Sequence, residues 1–458
     1  MRNQSPAINA PSGGQLPAPA VSADPQRFSL RAITPEWNAL YLGFLLFEVA
    51  IITYRFPVGR AGVLVGLLAL FFNRDKVRFP PPLIAFGALI ILAALGTGGS
   101  FSPSATKKEL WEVGKTWVIA LVAYNAIRTP KQFRFAILFA LAAYAFVPVR
   151  PALVGYVQGA TTMGRAQGPF IYSNSNDLAS ITLLALGGTL WVLTTEPLHK
   201  TLRLIGYGFA GTLVVMLLLT QSRGGFLGLM VLGVPYALSS ARRGIRPLIV
   251  ILLAVVGAAV FVPSSAWERL AGMKKLTSTQ TLAEADWEGS AEQRYELAKA
   301  SLDIMRNHPV SGVGLAAVGV AFAPYRRGIA GRDTHNTYLR IGVEIGVPGL
   351  VIFLVMVASV WRTLSRARRA TRTTAPTIST GFGYLQYGLL GFLVAGLFGS
   401  YPWLSIFHLF LAIMWSGAML WITPPAAAPA RSALPVVPER PQPILIRRRA
   451  PVVPRRGR

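Results

Sequence analysis

Four polar side chains interrupt a stretch that is otherwise apolar enough for a membrane: His335, Asn336, Arg340 and Glu344, directly ahead of Val351-Ile352-Phe353-Leu354-Val355-Met356-Val357. An ionisable group in a membrane segment costs a few kcal/mol or more, so its presence there argues for a use. On a helix starting near Asn336, residues 336, 340 and 344 share one face at i, i+4, i+8 spacing. Arg340 and Glu344 can pair within that helix, roughly 6 and 12 Å from its end, and pairing lowers the cost of burying either alone. His335 stands at the helix mouth, where an imidazole meets both water and a membrane-embedded substrate and can take or give a proton near neutral pH. Gly342, Gly346 and Gly349 thin the other side and let another helix approach.

Two further polar spots fall between apolar runs. In Gln221-Ser222-Arg223-Gly224-Gly225 an arginine occupies the whole of a tight connection. Its planar fork suits phosphate oxygens, and the adjacent glycines allow a ligand close to the backbone. The competing reading is an interfacial arginine reaching for lipid headgroups. In Arg165-Ala166-Gln167-Gly168-Pro169-Phe170, followed by Tyr172-Ser173-Asn174-Ser175-Asn176-Asp177, a cation and several hydrogen-bonding groups suit sugar hydroxyls and phosphate. Asn and Asp at such a place also cap helices. A P-loop, a dinucleotide fingerprint, a zinc-protease motif and a paired acidic motif for a nucleotide-sugar metal are all missing, so neither a cofactor nor a metal is expected.

The elements that position these residues are apolar helices. The chain has 458 residues, 53% hydrophobic and 14% charged, with a mean hydropathy of +0.48. Soluble domains carry roughly 25% charged residues. The fold class is therefore an all-α polytopic membrane protein. The net charge of +27 reflects cations crowding the inner loops of such a protein, not nucleic-acid binding. There is no cysteine, hence no disulfide or thiolate chemistry.

Apolar segments fall near 37–54, 60–72, 80–96, 113–127, 133–149, 177–194, 203–220, 224–239, 246–262, 337–360, 384–400 and 403–422, about twelve transmembrane helices. With the N-terminus inside, the short inner loops hold sixteen cations, from Arg74 to Arg372, against seven in the short outer loops, from Arg55 to Arg223. This is the sign that the positive-inside rule requires. The expected organisation is a disordered cytoplasmic tail at 1–36, nine spans over 37–262, a large periplasmic loop at 263–336, three spans over 337–422, and a basic Pro/Arg-rich cytoplasmic tail at 423–458. Within the loop, Ser290-Ala291-Glu292-Gln293 has capping-box spacing. Ala291, Tyr295, Ala298, Leu302 and Met305 then follow at helical spacing until Asn307-His308-Pro309 stops the pattern, predicting an amphipathic helix over the outer face.

Taken together, these motifs resemble the O-antigen ligase and O-antigen polymerase family. The resemblance rests on His335-Asn336 with Gly346-x-x-Gly349 nine residues on, on Ser222-Arg223-Gly224-Gly225-Phe226-Leu227, on Arg294 with His308-Pro309-Val310-Ser311-Gly312-Val313-Gly314, and on the Gly-Pro-Phe … Asn-x-Asn run between Arg165 and Leu178. It spans about 165–420. It implies a metal-independent, inverting glycosyltransferase in the bacterial inner membrane, N-in and C-in, with its active site facing the periplasm. The donor would be a glycan on undecaprenyl diphosphate, and the acceptor lipid A–core or another glycan, with membrane lipids around both. His335 would deprotonate or orient the acceptor hydroxyl. Arg223, Arg165 and Arg294 would meet the diphosphate, with Asn174, Asn176 and Asn336 at the sugar and Arg340 and Glu344 in support. Ligase to lipid A–core is the first reading. A polymerase of O-antigen, capsule or exopolysaccharide, or a protein O-glycan ligase, is the alternative. A transporter or flippase coupled through Arg340–Glu344 is the competing class, and it would be favoured by symmetry between halves, which the sequence lacks.

Overall fold

The computed structural model describes residues 34–54, 57–241 and 290–422, and among these there is no strand. We number the helices α1 (Ala39–Thr53), α2 (Gly59–Phe72), α3 (Pro81–Leu95), α4 (Pro103–Ala126), α5 (Pro130–Tyr144), α6 (Arg150–Val157), α7 (Ser175–Thr195), α8 (Lys200–Leu219), α9 (Arg223–Ala241), α10 (Ser290–Asn307), α11 (Val318–Ala321), α12 (Thr337–Thr371), α13 (Pro376–Ala395) and α14 (Ser405–Ile422). Helices α5 and α6 run on through a π turn at Ala145–Val149, which accommodates Pro148, a residue with no N–H to give.

Among the described residues, seven helices are long and apolar enough to cross a membrane, and α1, α2 and most of α9 are shorter apolar helices. The protein is an integral membrane protein. Of the twelve expected spans, 246–262 lies outside the described residues, as do residues 263–289 of the expected outer loop, residues 1–33 of the first expected tail and the whole of the second. Two helices begin well before their apolar runs. Helix α4 opens with Lys107, Lys108 and Glu109, and α13 opens with Thr377, Ser379 and Thr380. A helix keeps going wherever its backbone bonds are made, so polar first turns extend it beyond what hydropathy marks.

Successive spans alternate in direction, and hydrogen bonds fix which ends lie together. At one end, here the upper, Tyr172 Oη donates to Ile52 O at the close of α1 (2.8 Å). There too Phe101 N donates to Val313 O (2.9 Å), and Tyr401 Oη to Asn176 O (3.1 Å). At the lower end Arg78 N donates to Asn125 Oδ1 (2.7 Å), Arg128 Nη2 to Lys76 O (3.0 Å), and Arg134 pairs with Glu196 (3.1 Å). The central packing is close because glycines face each other. A Cβ on Gly187 would meet the backbone of Tyr384 and Gly388, and one on Gly228 the backbone of Gly391, which draws α7 and α9 against α13 in the manner of small-residue membrane interfaces.

Helix α12 is broken at Gly346, which sits at φ 81°, ψ 179°. Val347 donates to Pro309 O (2.8 Å) instead of closing the helical ladder, and Pro348 has no donor to give. The carbonyls of Val343 and Glu344 are thereby released. They are taken by Val313 N (2.8 Å) and Gly314 N (3.0 Å), from the return loop after α10. Irregular backbone at membrane depth persists only where its polar groups are met in this way. The close neighbour at Gly346 is therefore a loop and not the helix expected there. At Gly342 it is Met305 of the amphipathic α10. A Cβ at Gly346 would lie 2.5 Å from Val310 O in a conformation L-residues avoid. Gly346→Ala is expected to cost about 3 kcal/mol or more, read as a lower thermal-unfolding midpoint and less protein in the membrane.

Helix α10 is present where expected and stops at Asn307, ahead of Pro309. Its buried side differs from the expected one: Leu297, Ala300, Ser301 and Ile304 are buried, while Tyr295 and Leu302 are exposed at 44% and 46%. The buried stripe contains Ala and Ser, which carry little apolar weight in a sequence pattern. It packs with Val313, Ala317, Phe322 and Val343 in a small core of its own.

Candidate active site

At the upper end, the loop from 158 to 174 is sewn to the connection between α8 and α9. Ala166 N donates to Leu219 O (2.9 Å), Gln221 Nε2 to Gly164 O (3.0 Å), and Arg165 Nε to Thr220 O (2.8 Å). Arg165 Nη2 also donates to Asn176 Oδ1 (2.9 Å). These bonds fix the guanidinium in place. Arg223 is the first residue of α9 rather than part of a loop. Ser222 accepts from Gly225 N (3.2 Å) as the cap, so the arginine stands at the positive end of a helix dipole, an anion-favouring position. Gly224 and Gly225 serve packing, since a Cβ there would meet Phe398 and Ala179 respectively.

Arg294 projects from the first turns of α10. Arg165, Arg223 and Arg294 line one cleft, together with Asn176, Gln221, Gly224 and Phe398. Three sequence segments separated by dozens of residues thus converge on one spot. The cleft has a volume of ≈ 20 Å³, room for about one water.

His335 lies outside this cleft, half-buried ahead of α12, yet within electrostatic reach of Arg294. Its backbone is left-handed (φ 48°), a conformation costly for a residue other than glycine. Gln221 shares that conformation (φ 51°), and such strain gathers at functional sites when the surroundings hold it. Burial lowers the pKa of the imidazole from the ordinary histidine value. Asp333 pulls the other way, and the positive charges of Arg294 and Arg332 lower it further. These influences favour the neutral ring, which keeps a nitrogen lone pair available.

Asn336 and Asn174 turn out to be caps. Asn336 Oδ1 accepts from Tyr338 N (2.9 Å) and Leu339 N (3.0 Å) at the start of α12, and Asn174 Oδ1 accepts from Asn176 N (2.8 Å) at the start of α7. Neither lines the arginine cleft, whereas Asn176 does.

Arg340 and Glu344 form the expected pair, Nε to Oε1 at 3.1 Å. Glu344, 1% exposed, also accepts from Trp403 Nε1 (2.7 Å) and Ala316 N (3.1 Å). This carboxylate is tied to three elements. Arg340 also faces Asp333 at 3.7 Å, and both act on Asp177 at the start of α7. A charged network therefore links α12, α7 and the histidine segment. Trp403, Tyr401 and Phe398 were invisible as site residues: the stretch between α13 and α14 reads only as a break between two spans.

Among known proteins, no curated protein matches the chain. Residues 208–354 match the family model described as O-antigen ligase. That match takes in Arg223, Arg294 and His335, covers about a third of the chain and ends well short of either terminus.

Proposed function

We propose that the protein transfers a glycan from undecaprenyl diphosphate to an acceptor hydroxyl, and that it is an O-antigen ligase whose acceptor is lipid A–core. The family gives a membrane glycosyltransferase of the ligase or polymerase type, with a lipid-linked donor and a glycan acceptor. The observation that carries the finer reading is the convergence of Arg165, Arg223 and Arg294 on one cleft, beside a histidine that Arg294 helps keep neutral.

The neutral His335 accepts the proton of the acceptor hydroxyl as the oxygen attacks the anomeric carbon of the donor sugar. The bond from that carbon to the diphosphate oxygen breaks, and the electron pair leaves with the diphosphate. A single displacement of this kind inverts the anomeric centre. Charge grows on the leaving diphosphate, and preorganised cations are the groups that stabilise it. Arg165, held by Thr220 O and Asn176, Arg223 at the start of α9 and Arg294 from α10 would supply that charge. Glu344, spent on three donors, holds the network in place, which favours a fixed scaffold over a coupling pair that must change partners during transport.

Orientation follows from the charge. The lower end carries Arg74, Lys76, Arg78, Arg128, Lys131, Arg134, Lys200, Arg203 and the arginines from 362 to 372, and cation-rich ends belong in the cytoplasm. The arginine cleft then faces the periplasm, with both termini inside.

The test is the lipopolysaccharide ladder of a strain lacking the protein. Core without O-chain, beside accumulated lipid-linked polymer, is the expected result. Core capped with one repeat would make the protein a polymerase, and an unchanged ladder would overturn the lipopolysaccharide assignment. A pH profile tests the base separately. Because the histidine is neutral when folded and its pKa is lowered, transfer should hold through neutrality and fall only as pH drops through a value below the ordinary ~6.5. Asp333→Asn removes the charge that raises that pKa, so the acid limb should move to lower pH. An unmoved limb would show that another group titrates.

A further inference from the structure

At the lower end of α12 and α13, far from the arginine cleft, lies a cavity of ≈ 590 Å³ lined by Arg368, Arg369 and Arg372 together with Ser365, Ser379 and Thr380. Among the described residues no carboxylate lines it. Three guanidiniums facing one space without an acid attract an anion.

Arg368 is held rather than loose. Its Nη1 donates to Gln386 Oε1 (2.9 Å). Gln386, 1% exposed, uses its amide nitrogen on Ser365 Oγ (2.7 Å) and Trp361 O (3.2 Å). The guanidinium lies 5.9 Å from the Tyr387 ring centroid and close against Gly383, where a Cβ would sit 3.3 Å from it. A buried amide, a ring and the bare backbone of a glycine set its plane. An arginine that merely reached for water would need none of these.

Depth narrows the ligand. After Glu344, the next charged residue of α12 is Arg362, about 27 Å further along at 1.5 Å per residue, close to the thickness of the hydrocarbon core. Arg368, Arg369 and Arg372 therefore stand at headgroup level, and basic pockets between membrane helices at that level suit lipid phosphates. We propose that this cleft binds a phosphoryl group, as the headgroup phosphate of an anionic phospholipid or as free phosphate.

The experiment uses the full chain purified in a neutral detergent, titrated separately with phosphatidylglycerol, phosphatidylcholine and inorganic phosphate. Thermal-unfolding midpoint and native mass spectrometry are the readouts. Phosphatidylglycerol should bind and raise the midpoint, phosphatidylcholine should not, and the Arg369→Gln/Arg372→Gln double variant should bind phosphatidylglycerol about ten-fold more weakly or worse. Both of those arginines are exposed, so the double variant should fold. Arg368→Gln, tested alongside it, should weaken binding too. Inorganic phosphate binding as tightly as phosphatidylglycerol, and lost in the same variants, would support the site with free phosphate as its source. Equal binding by wild type and double variant, or no preference for either phosphoryl anion over phosphatidylcholine, would overturn the proposal.

Discussion

Replacing His335 with alanine is expected to lower glycan transfer by ~10²–10⁴-fold, the range that a positioned general base supplies, with the amount of protein in the membrane unchanged. The expectation rests on place and protonation. His335 is half-buried beside the charges of Asp333, Arg294 and Arg332, and it heads the helix whose break and ion pairs build the upper end. Its left-handed backbone (φ 48°) makes the structural side of the test tractable. Alanine retains that strain without adding to it, and His335→Asn, a residue that tolerates the conformation better, should be at least as stable while offering no base of comparable strength. Loss of transfer in both variants at wild-type abundance would fit a base. Wild-type transfer in either would remove His335 from the chemistry.

Arg223→Ala carries the second large expectation, a loss of about 10²–10³-fold in turnover, as for removal of one preorganised donor to developing charge. The loss should be incomplete, because Arg165, Arg294 and the end of α9 remain around the same space. Arg223→Lys should recover part of it, keeping the charge but not the planar fork. Arg223 is 9% exposed, so the unfolding midpoint of each variant must be followed beside its rate. A rate lost only in proportion to folded protein would mean that Arg223 is structural. Rates of transfer can be read from donor consumption in detergent with purified acceptor.

Part of the candidate site was legible because Arg165 and Arg223 stand between apolar runs. Arg294 lies in a polar segment and was marked only by the resemblance, and the structure brings all three to one cleft. Pairings across long separations were not legible. Glu344 meets Trp403 and Ala316, 59 and 28 residues away, and only Arg340, one helical turn away, could be paired with it from spacing. The caps mark a related limit. Asn174 and Asn336 have the polarity of sugar ligands, but whether their oxygens are spent on backbone depends on where α7 and α12 begin, which hydropathy places only to within a few residues. The rotated face of α10 shows the same gap: Ala300 and Ser301 are buried because Val313 and Val343 come to meet that stripe, and those partners lie outside any window read along α10.

The break in α12 bears on how such chains can be recombined. Pro309 O, Val313 N and Gly314 N on one side, and Val347 N, Val343 O and Glu344 O on the other, form three bonds. Gly312 and Gly346 let the two backbones close to within a methyl group's reach of each other. Residues 308–314 and 343–347 are in effect halves of a single joint. A chimera with another family member whose crossover falls between them would inherit mismatched halves and strand carbonyls at membrane depth, where each costs several kcal/mol. Crossovers before 308 or after 349 keep the joint whole, so a chimera should fold only when the whole of 308–349 travels together.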